Sequence, residues 1–137
     1  MPFVVDASVT AAWCFADESS GAADAALDRL TDNEAVVPAL WWFEIRNILV
    51  VNERRGRIDQ PDTVSFLAHL ARLPVHIDRE PDGEVVLAMA RKHRLTAYDA
   101  AYLELARRLG GPLGTLDKAL AAAARAEDVS LIGDPGS

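Results

Sequence analysis

Phe3-Val4-Val5-Asp6-Ala7-Ser8, close to the start of the chain, is the stretch that decides the fold. Its apolar run ends abruptly in a carboxylate and a hydroxyl. This pattern is typical of a strand buried on both faces, and such strands are usually parallel and central in their sheet. In open α/β sheets, ligands bind beyond the carboxyl ends of the strands, so we expect Asp6 and Ser8 to lie where a functional site forms. Either side chain could instead cap the helix that follows.

Short apolar segments alternate with helical patterns over the rest of the chain. This alternation predicts an α/β fold, a three-layer sandwich in which a short central parallel sheet is flanked by helices. A length of 137 residues suits one domain, so we expect residues 1–137 to form a single domain. Ser19 or Ser20 is predicted to cap the second helix. Further strands are predicted at Ala35–Pro38, Val75–Ile77, Pro112–Leu116 and Val129–Ile132.

Charge and cysteine content limit the classes of function. The formal net charge of −7 argues against a whole-surface attraction to nucleic acid or to an anionic membrane, although a local basic strip remains compatible with it. Cys14 is the only cysteine, so an internal disulfide or a cysteine-based zinc site cannot form. The longest apolar run is short and interrupted by Pro38, and the first residues lack the layout of a signal peptide. We therefore expect a cytoplasmic protein with no membrane partner.

Four acidic residues stand in apolar surroundings, where an apolar residue would stabilise the fold more. They are Asp6, Glu44, Asp99 and Asp117. Two of them follow predicted strands and one begins a predicted helix, positions that an α/β layout brings to one edge of the sheet. Carboxylates that converge there repel each other unless a cation joins them, and oxygen-only ligation suits Mg²⁺ or Mn²⁺. Two such ions can activate a water and stabilise the leaving oxygen of a phosphodiester.

Polar residues beside these acids are candidates for supporting or substrate-binding roles. The hydroxyls of Ser8 and Thr115 lie two residues from an acid and could orient it or contact phosphate, although turn or cap hydrogen bonds are an alternative. Asn47 falls on the helix face of Glu44, and Arg46 could guide RNA. Glu44 could instead pair with an arginine across a subunit interface.

The predicted helix Leu40–Asn52 is apolar over most of its circumference. A helix of this kind is buried on two sides, by its own core and by another subunit, so we expect a homodimer. The helical patterns elsewhere predict inner faces that include Leu27 and Val64.

The four acids belong to short motifs that run through the whole chain, and their order and spacing resemble those of a known family. The motifs are Val4-Val5-Asp6-Ala7-Ser8, Glu44-Ile45-Arg46-Asn47, Thr96-Ala97-Tyr98-Asp99-Ala100-Ala101-Tyr102-Leu103 and Thr115-Leu116-Asp117. Together they resemble the acidic motifs of PIN-domain ribonucleases, specifically the VapC-type toxins of type II toxin-antitoxin systems. The resemblance implies an endoribonuclease that depends on Mg²⁺ or Mn²⁺, a homodimer, and a VapB-like antitoxin as partner.

The resemblance also implies roles for individual residues. It maps the metal-binding and catalytic roles onto Asp6, Glu44, Asp99 and Asp117, and the accompanying hydroxyls onto Ser8 and Thr115. Some family members carry a further acid shortly after the last motif, where this chain has only alanines, residues 121–124.

Two other classes of protein remain as alternatives. A haloacid-dehalogenase phosphatase also begins with a strand that ends in aspartate, but it needs a second acid two residues later, where this chain has Ser8. A catalytically inactive PIN-like interaction module would keep the fold without the chemistry. The four intact acids argue against such a module.

Overall fold

A computed structural model describes residues 1–18 and 20–133, in which helices and strands alternate. Ser19, one of the two predicted helix caps, and residues 134–137 lie outside the described residues. The strands are β1 (Phe3–Val5), β2 (Ala35–Pro38), β3 (Val75–Asp78) and β4 (Leu113–Gly114). The helices are α1 (Ala7–Ala12), α2 (Gly21–Arg29), α3 (Leu40–Arg54), α4 (Gln60–Leu70), α5 (Gly83–His93), α6 (Ala97–Leu109) and α7 (Lys118–Ala126), with a 3-10 turn at Ala16–Glu18.

The strands form one parallel sheet in the order β3-β2-β1-β4. Strand β1 is central because its three apolar residues are fully buried and both of its edges are paired. Val4 pairs with Val36 of β2 on one side and with Leu113 of β4 on the other. The carboxyl end of β1, where Asp6 follows, therefore lies between two neighbouring strands.

Helices pack against this sheet and against each other. Helix α6 contacts β1, β2 and β4, with α5 and α7 beside it, while α2 contacts β4 and α1 packs against α2 and α3. The predicted α/β class, with a short parallel sheet flanked by helices, is confirmed. Within residues 1–18 and 20–133, no helix is long and apolar enough to cross a membrane.

Small polar side chains fix the starts of several helices, because they accept hydrogen bonds from backbone N–H groups that have no partner within the helix. Ser20 caps α2 by accepting from the Ala23 N–H, as predicted for one of the two serines. Asp6, Thr96 and Asp117 cap α1, α6 and α7 in the same way. Two of the four candidate acids therefore combine a capping role with their place at the sheet edge.

Three sequence predictions about the fold are wrong in detail. Residues 129–132 form no full strand, because only Leu131 bridges to Leu113 of β4. Strand β4 itself is two residues long, shorter than the predicted Pro112–Leu116. Leu27 and Val64, assigned to inner helix faces, are 40% and 68% exposed. Apolar periodicity gives the face of a helix but not how much of that face a neighbouring element covers.

Candidate functional site

The candidate site begins at Asp6, which directly follows β1 and is 5% exposed. Both oxygens of this carboxylate have hydrogen-bond partners in the protein. Oδ1 accepts from the Ser8 hydroxyl at 2.6 Å and from the Val9 N–H at 3.0 Å, and Oδ2 accepts from the Thr115 hydroxyl. The orientation of Asp6 is thus set by its own helix and by the loop after β4.

The hydroxyls of Ser8 and Thr115 also connect Asp6 to Asp117. Ser8 Oγ accepts from the Leu116 N–H at 3.0 Å, and Thr115 Oγ1 accepts from the Asp117 N–H at 3.0 Å. Each hydroxyl therefore donates to Asp6 and accepts from the backbone of the β4–α7 loop. The two predicted supporting hydroxyls lie beside Asp6, as their positions in the sequence suggested.

Asp117 and Asp99 lie at the starts of two helices. Asp117 is the N-cap of α7, and its Oδ1 accepts from the Leu120 N–H at 2.9 Å. Asp99 lies in the first turn of α6, where its N–H donates to the hydroxyl of Thr96 at 3.1 Å. Negative side chains are favoured at helix N-termini, because the partial positive charge of the unpaired N–H groups stabilises them.

Glu44 lies on α3 and is half-buried. Its Oε1 accepts a hydrogen bond from the hydroxyl of Tyr102, a residue of α6 that is 1% exposed. Burial, reinforced by the hydrogen bond to Glu44, raises the pKa of Tyr102 well above its usual range. The phenol therefore stays protonated and acts as the donor.

The carboxylates lie close enough to shift each other's protonation. Burial raises the pKa of Asp6, and the hydroxyls of Ser8 and Thr115 partly offset that rise. Burial also raises the pKa of Glu44, and the negative charges of Asp99 and Asp6 raise it further. The pKa of Asp99 is raised by burial first and then by the charges of Asp117 and Asp6. Like charges held together in this way favour protonation or the binding of a cation.

The chemistry of this donor set fits a hard divalent cation. Every candidate ligand is a carboxylate oxygen, the type that Mg²⁺ and Mn²⁺ prefer. Glu44 Oε2 and Asp117 Oδ2 accept no hydrogen bond from the described residues, so both can serve as ligands. Within the described part of the chain, no three acidic, histidine or cysteine side chains are already grouped as one ion requires. Binding would therefore draw the side chains together.

The other two predicted supporting residues, Arg46 and Asn47, lie on α3 with Glu44. The guanidinium of Arg46 stacks over the ring of Trp42 at 3.6 Å and donates to the Trp42 carbonyl at 3.1 Å. Asn47 is exposed on α3. No hydrogen bond or ion pair in residues 1–18 and 20–133 joins either side chain to the acids. Ser8 and Thr115 are thus hydrogen-bonded to Asp6, whereas the roles of Arg46 and Asn47 toward substrate stay predictions.

Comparison with protein families gives this arrangement a context. The family model of the PIN domain matches residues 3–126, which contain all four acids. The chain belongs to the PIN domain family. A relative named Ribonuclease VapC3, from Pyrobaculum aerophilum, is 36% identical over 125 residues, covering 88% of this chain and 93% of the relative. The predicted resemblance to VapC-type PIN-domain proteins is confirmed.

A solved structure has the same fold as this PIN domain. The crystal structure of PAE2754 from Pyrobaculum aerophilum matches with a TM-score of 0.70 and 27% identity, over 90% of this chain and 79% of the other. The haloacid-dehalogenase alternative loses its support, because the position of its second acid is Ser8 and that hydroxyl is engaged in orienting Asp6.

Tyr102 is the residue of this PIN domain that sequence reasoning missed. It belongs to the same motif as Asp99, but its aromatic ring at a helical spacing is typical of a core residue. One signal was available, because positions three apart share a helix face and Tyr102 follows Asp99 by three. Its partner Glu44 is 58 residues away, so the contact itself required the structure.

Proposed function

We propose that this chain is a divalent-metal-dependent endoribonuclease, the VapC-type toxin of a toxin-antitoxin pair, formed by one PIN-like domain and acting in the cytoplasm. One observation carries the proposal. Four carboxylates from separate parts of the chain influence one another at the carboxyl edge of the sheet, in a PIN domain that is 36% identical to a ribonuclease VapC. The negative charges of such a cluster repel each other and destabilise the protein unless a bound cation neutralises them.

The proposed site residues have distinct tasks. Asp6, Glu44, Asp99 and Asp117 hold Mg²⁺ or Mn²⁺, with Asp6 fixed in advance by three hydrogen bonds. When bound, these ions activate a water and stabilise the leaving oxygen of the phosphodiester. Ser8 and Thr115 keep Asp6 oriented and hold the loop that carries Asp117.

The substrate in this proposal is RNA. Phosphates approach a protein of net charge −7, so cations at the site and local basic side chains must provide the attraction. Arg46 and Asn47 on α3 are proposed substrate contacts next to Glu44. Cleavage should therefore weaken as the salt concentration rises.

The proposed partners are a VapB-like antitoxin and a second copy of the chain. An antitoxin that offers an arginine or lysine to the four acids relieves their repulsion as a metal ion does, and thereby blocks the site. The homodimer is proposed from the exposed apolar side chains of α3.

Cleavage of a structured RNA in Mg²⁺ tests the proposal directly. Asp6→Asn, Asp99→Asn and Asp117→Asn should each reduce cleavage at least about 100-fold, because each removes a ligand charge at almost unchanged volume. Asp32→Asn serves as the matched control, since Asp32 is exposed and lies before β2 at the opposite edge of the sheet.

Two outcomes of this assay would contradict the proposal. Near-normal turnover in two of the three site variants would refute a shared site. A wild-type protein that is folded but inactive in Mg²⁺ and Mn²⁺ would favour the non-catalytic interaction module. Co-expression with the adjacent reading frame should give a complex that lacks the activity, and a free, active protein from that co-expression would count against the antitoxin.

A further inference from the structure

Tyr102 provides the hydrogen bond that holds Glu44 in place. Its ring is buried in the core, and its hydroxyl reaches Glu44 Oε1 at 2.5 Å. Within residues 1–18 and 20–133, the side chain of Glu44 makes no other hydrogen bond or ion pair. Glu44 therefore differs from Asp6, which has three donors, because a single hydroxyl sets its orientation.

The position of Tyr102 links two helices that carry site residues. Asp99 and Tyr102 are three residues apart on α6 and so share one face of that helix, whereas Glu44 lies on α3. The hydrogen bond crosses from α6 to α3 and joins residues 58 apart in sequence. It fixes Oε1 and leaves Oε2 without a protein partner in the described residues.

We propose that Tyr102 is a positioning residue for Glu44, whose hydroxyl holds one carboxylate oxygen so that the other is presented to a divalent cation shared with Asp6 and Asp99. The part of this inference that concerns the cation rests on the proposed function. A flexible glutamate must otherwise lose rotational freedom each time it binds an ion. Residues that orient metal ligands in this way typically change metal affinity 10–100-fold when mutated.

Tyr102→Phe removes the hydroxyl and keeps the ring that fills the core. We expect Mn²⁺, titrated into the whole chain and followed by electron paramagnetic resonance, to bind about tenfold more weakly to this variant. Cleavage at saturating Mn²⁺ should return to within about twofold of wild type, because the ligands themselves are intact. A purely structural role for Tyr102 would lower the melting temperature without this separation of metal affinity from turnover.

Tyr98→Phe is the matched control. Tyr98 is the only other tyrosine of the chain, directly precedes Asp99 and is 65% exposed. Its loss of a hydroxyl should leave the Mn²⁺ affinity unchanged. Equal Mn²⁺ affinity of wild type and Tyr102→Phe would overturn the role of Tyr102 toward the cation.

Two measurements in chelator decide whether Tyr102 holds Glu44 irrespective of metal or RNA. In a double-mutant cycle on melting temperature, Tyr102→Phe and Glu44→Ala should be non-additive, because both remove the same hydrogen bond. In wild type, the hydroxyl proton of Tyr102 should be protected from exchange and visible by NMR, and Glu44→Ala alone should abolish its signal.

These results separate the two proposals. Additive effects together with an unprotected hydroxyl proton would overturn the inference on Tyr102 even if the protein cleaves RNA. A wild type that neither binds Mn²⁺ nor cleaves RNA would overturn the proposed function, and the measurements in chelator would still decide whether Tyr102 holds Glu44.

Discussion

Asp6 and the other three acids are held to different degrees. Asp6 accepts hydrogen bonds from Ser8, Val9 and Thr115, so both of its oxygens have donors, although Oδ2 with one donor keeps a second acceptor site. Asp117 and Glu44 each accept one hydrogen bond from the described residues and keep the second oxygen available. Asp6 is therefore the most constrained of the acids, and binding of the proposed cation would require movement mainly of the other side chains.

The repulsion among the acids predicts that removing one charge stabilises the metal-free protein. Asp99→Asn should raise the free energy of unfolding by about 1 kcal/mol in chelator, which is about 3 °C in melting temperature at this size. In the wild type, burial and the charges of Asp117 and Asp6 raise the pKa of Asp99, so the ionised form of Asp99 lowers stability at neutral pH. The gain should shrink as the pH falls through this raised pKa, because protonated Asp99 is already neutral.

Melting curves with chelator and with Mn²⁺ measure this effect. Mn²⁺ should stabilise wild type by binding only the folded site, and should stabilise Asp99→Asn less. Asp32→Asn, at an exposed position, should behave like wild type in both conditions. If wild type and Asp99→Asn melted together in chelator and neither responded to metal, the acids would not share a site.

The sequence identified individual candidate residues where the signal was local. Asp6 and Asp117 could be identified because an ionisable group after an apolar strand is costly unless it has a task. The contact between Tyr102 and Glu44 could not, since it depends on how α3 and α6 approach one another. Arg46 was predicted near RNA from its charge, but the sequence could not show that its guanidinium stacks on Trp42.

Three helix ends meet at one carboxylate, that of Glu127. Lys92 Nζ and His93 Nε2, in the last turn of α5, lie 2.8 and 2.6 Å from its Oε2. Arg107, in the last turn of α6, lies 3.3 Å from Oε1, and Glu127 itself is the C-cap of α7. The Glu127 side chain is 8% exposed, whereas Lys92 and Arg107 are exposed, so the contact joins α5, α6 and α7 at the protein surface.

Glu127→Gln should lower the free energy of unfolding, because it weakens the contacts that join α5, α6 and α7. The hydrogen bonds with Lys92 and His93 lower the pKa of Glu127 from its ordinary 4.5 to about 2. A depressed carboxyl pKa stabilises the fold above pH 4.5, and the stabilisation is lost as the pH falls from 4.5 toward 2. We expect a loss of about 1 kcal/mol at pH 6, since Lys92 and Arg107 are themselves exposed.

Thermal unfolding from pH 6 down to pH 3 checks this prediction. The difference between wild type and Glu127→Gln should narrow steadily on acidification. Glu80→Gln, at an exposed position before α5, should show no such difference. A gap between wild type and Glu127→Gln that stays constant with pH would assign the effect to packing instead of charge.

At the level of elements, the sequence predicted the strands and helices better than their ends. Strand β1 was clear because Phe3, Val4 and Val5 need burial on both sides. The weak pairing of residues 129–132 was not predictable, since β4 offers only two residues to pair with. The length of an edge strand depends on its neighbour as much as on its own sequence.

At the scale of the whole molecule, the exposed apolar side chains of α3 predict a dimer. Phe43 is 70% exposed and Val50 39%, and they are seven positions apart, so they lie on one face of the helix. In an isologous twofold dimer each interface residue occurs once in each copy, so a double change to serine alters four positions of the interface. Phe43→Ser combined with Val50→Ser should give a monomer by light scattering at micromolar concentration.

Val64→Ser is the control for this experiment, because Val64 has the same side chain as Val50, is 68% exposed and lies on α4 instead of α3. The Val64→Ser variant should have the same molecular mass by light scattering as the wild type. A monomeric wild type at micromolar concentration would remove the dimer, and a dimer that survives both changes on α3 would move the interface elsewhere.

The position of β1 between β2 and β4 also governs when the site can exist during protein synthesis. The ribosome makes Asp6 before Thr115, which hydrogen-bonds to it and follows 109 residues later. Contacts so distant in sequence form only after the intervening chain is available. In a nascent chain, Asp6, Glu44 and Asp99 therefore lack Thr115 and Asp117 until translation has passed residue 117. If the chain cuts RNA as proposed, we expect that activity only in molecules whose synthesis has passed Thr115 and Asp117.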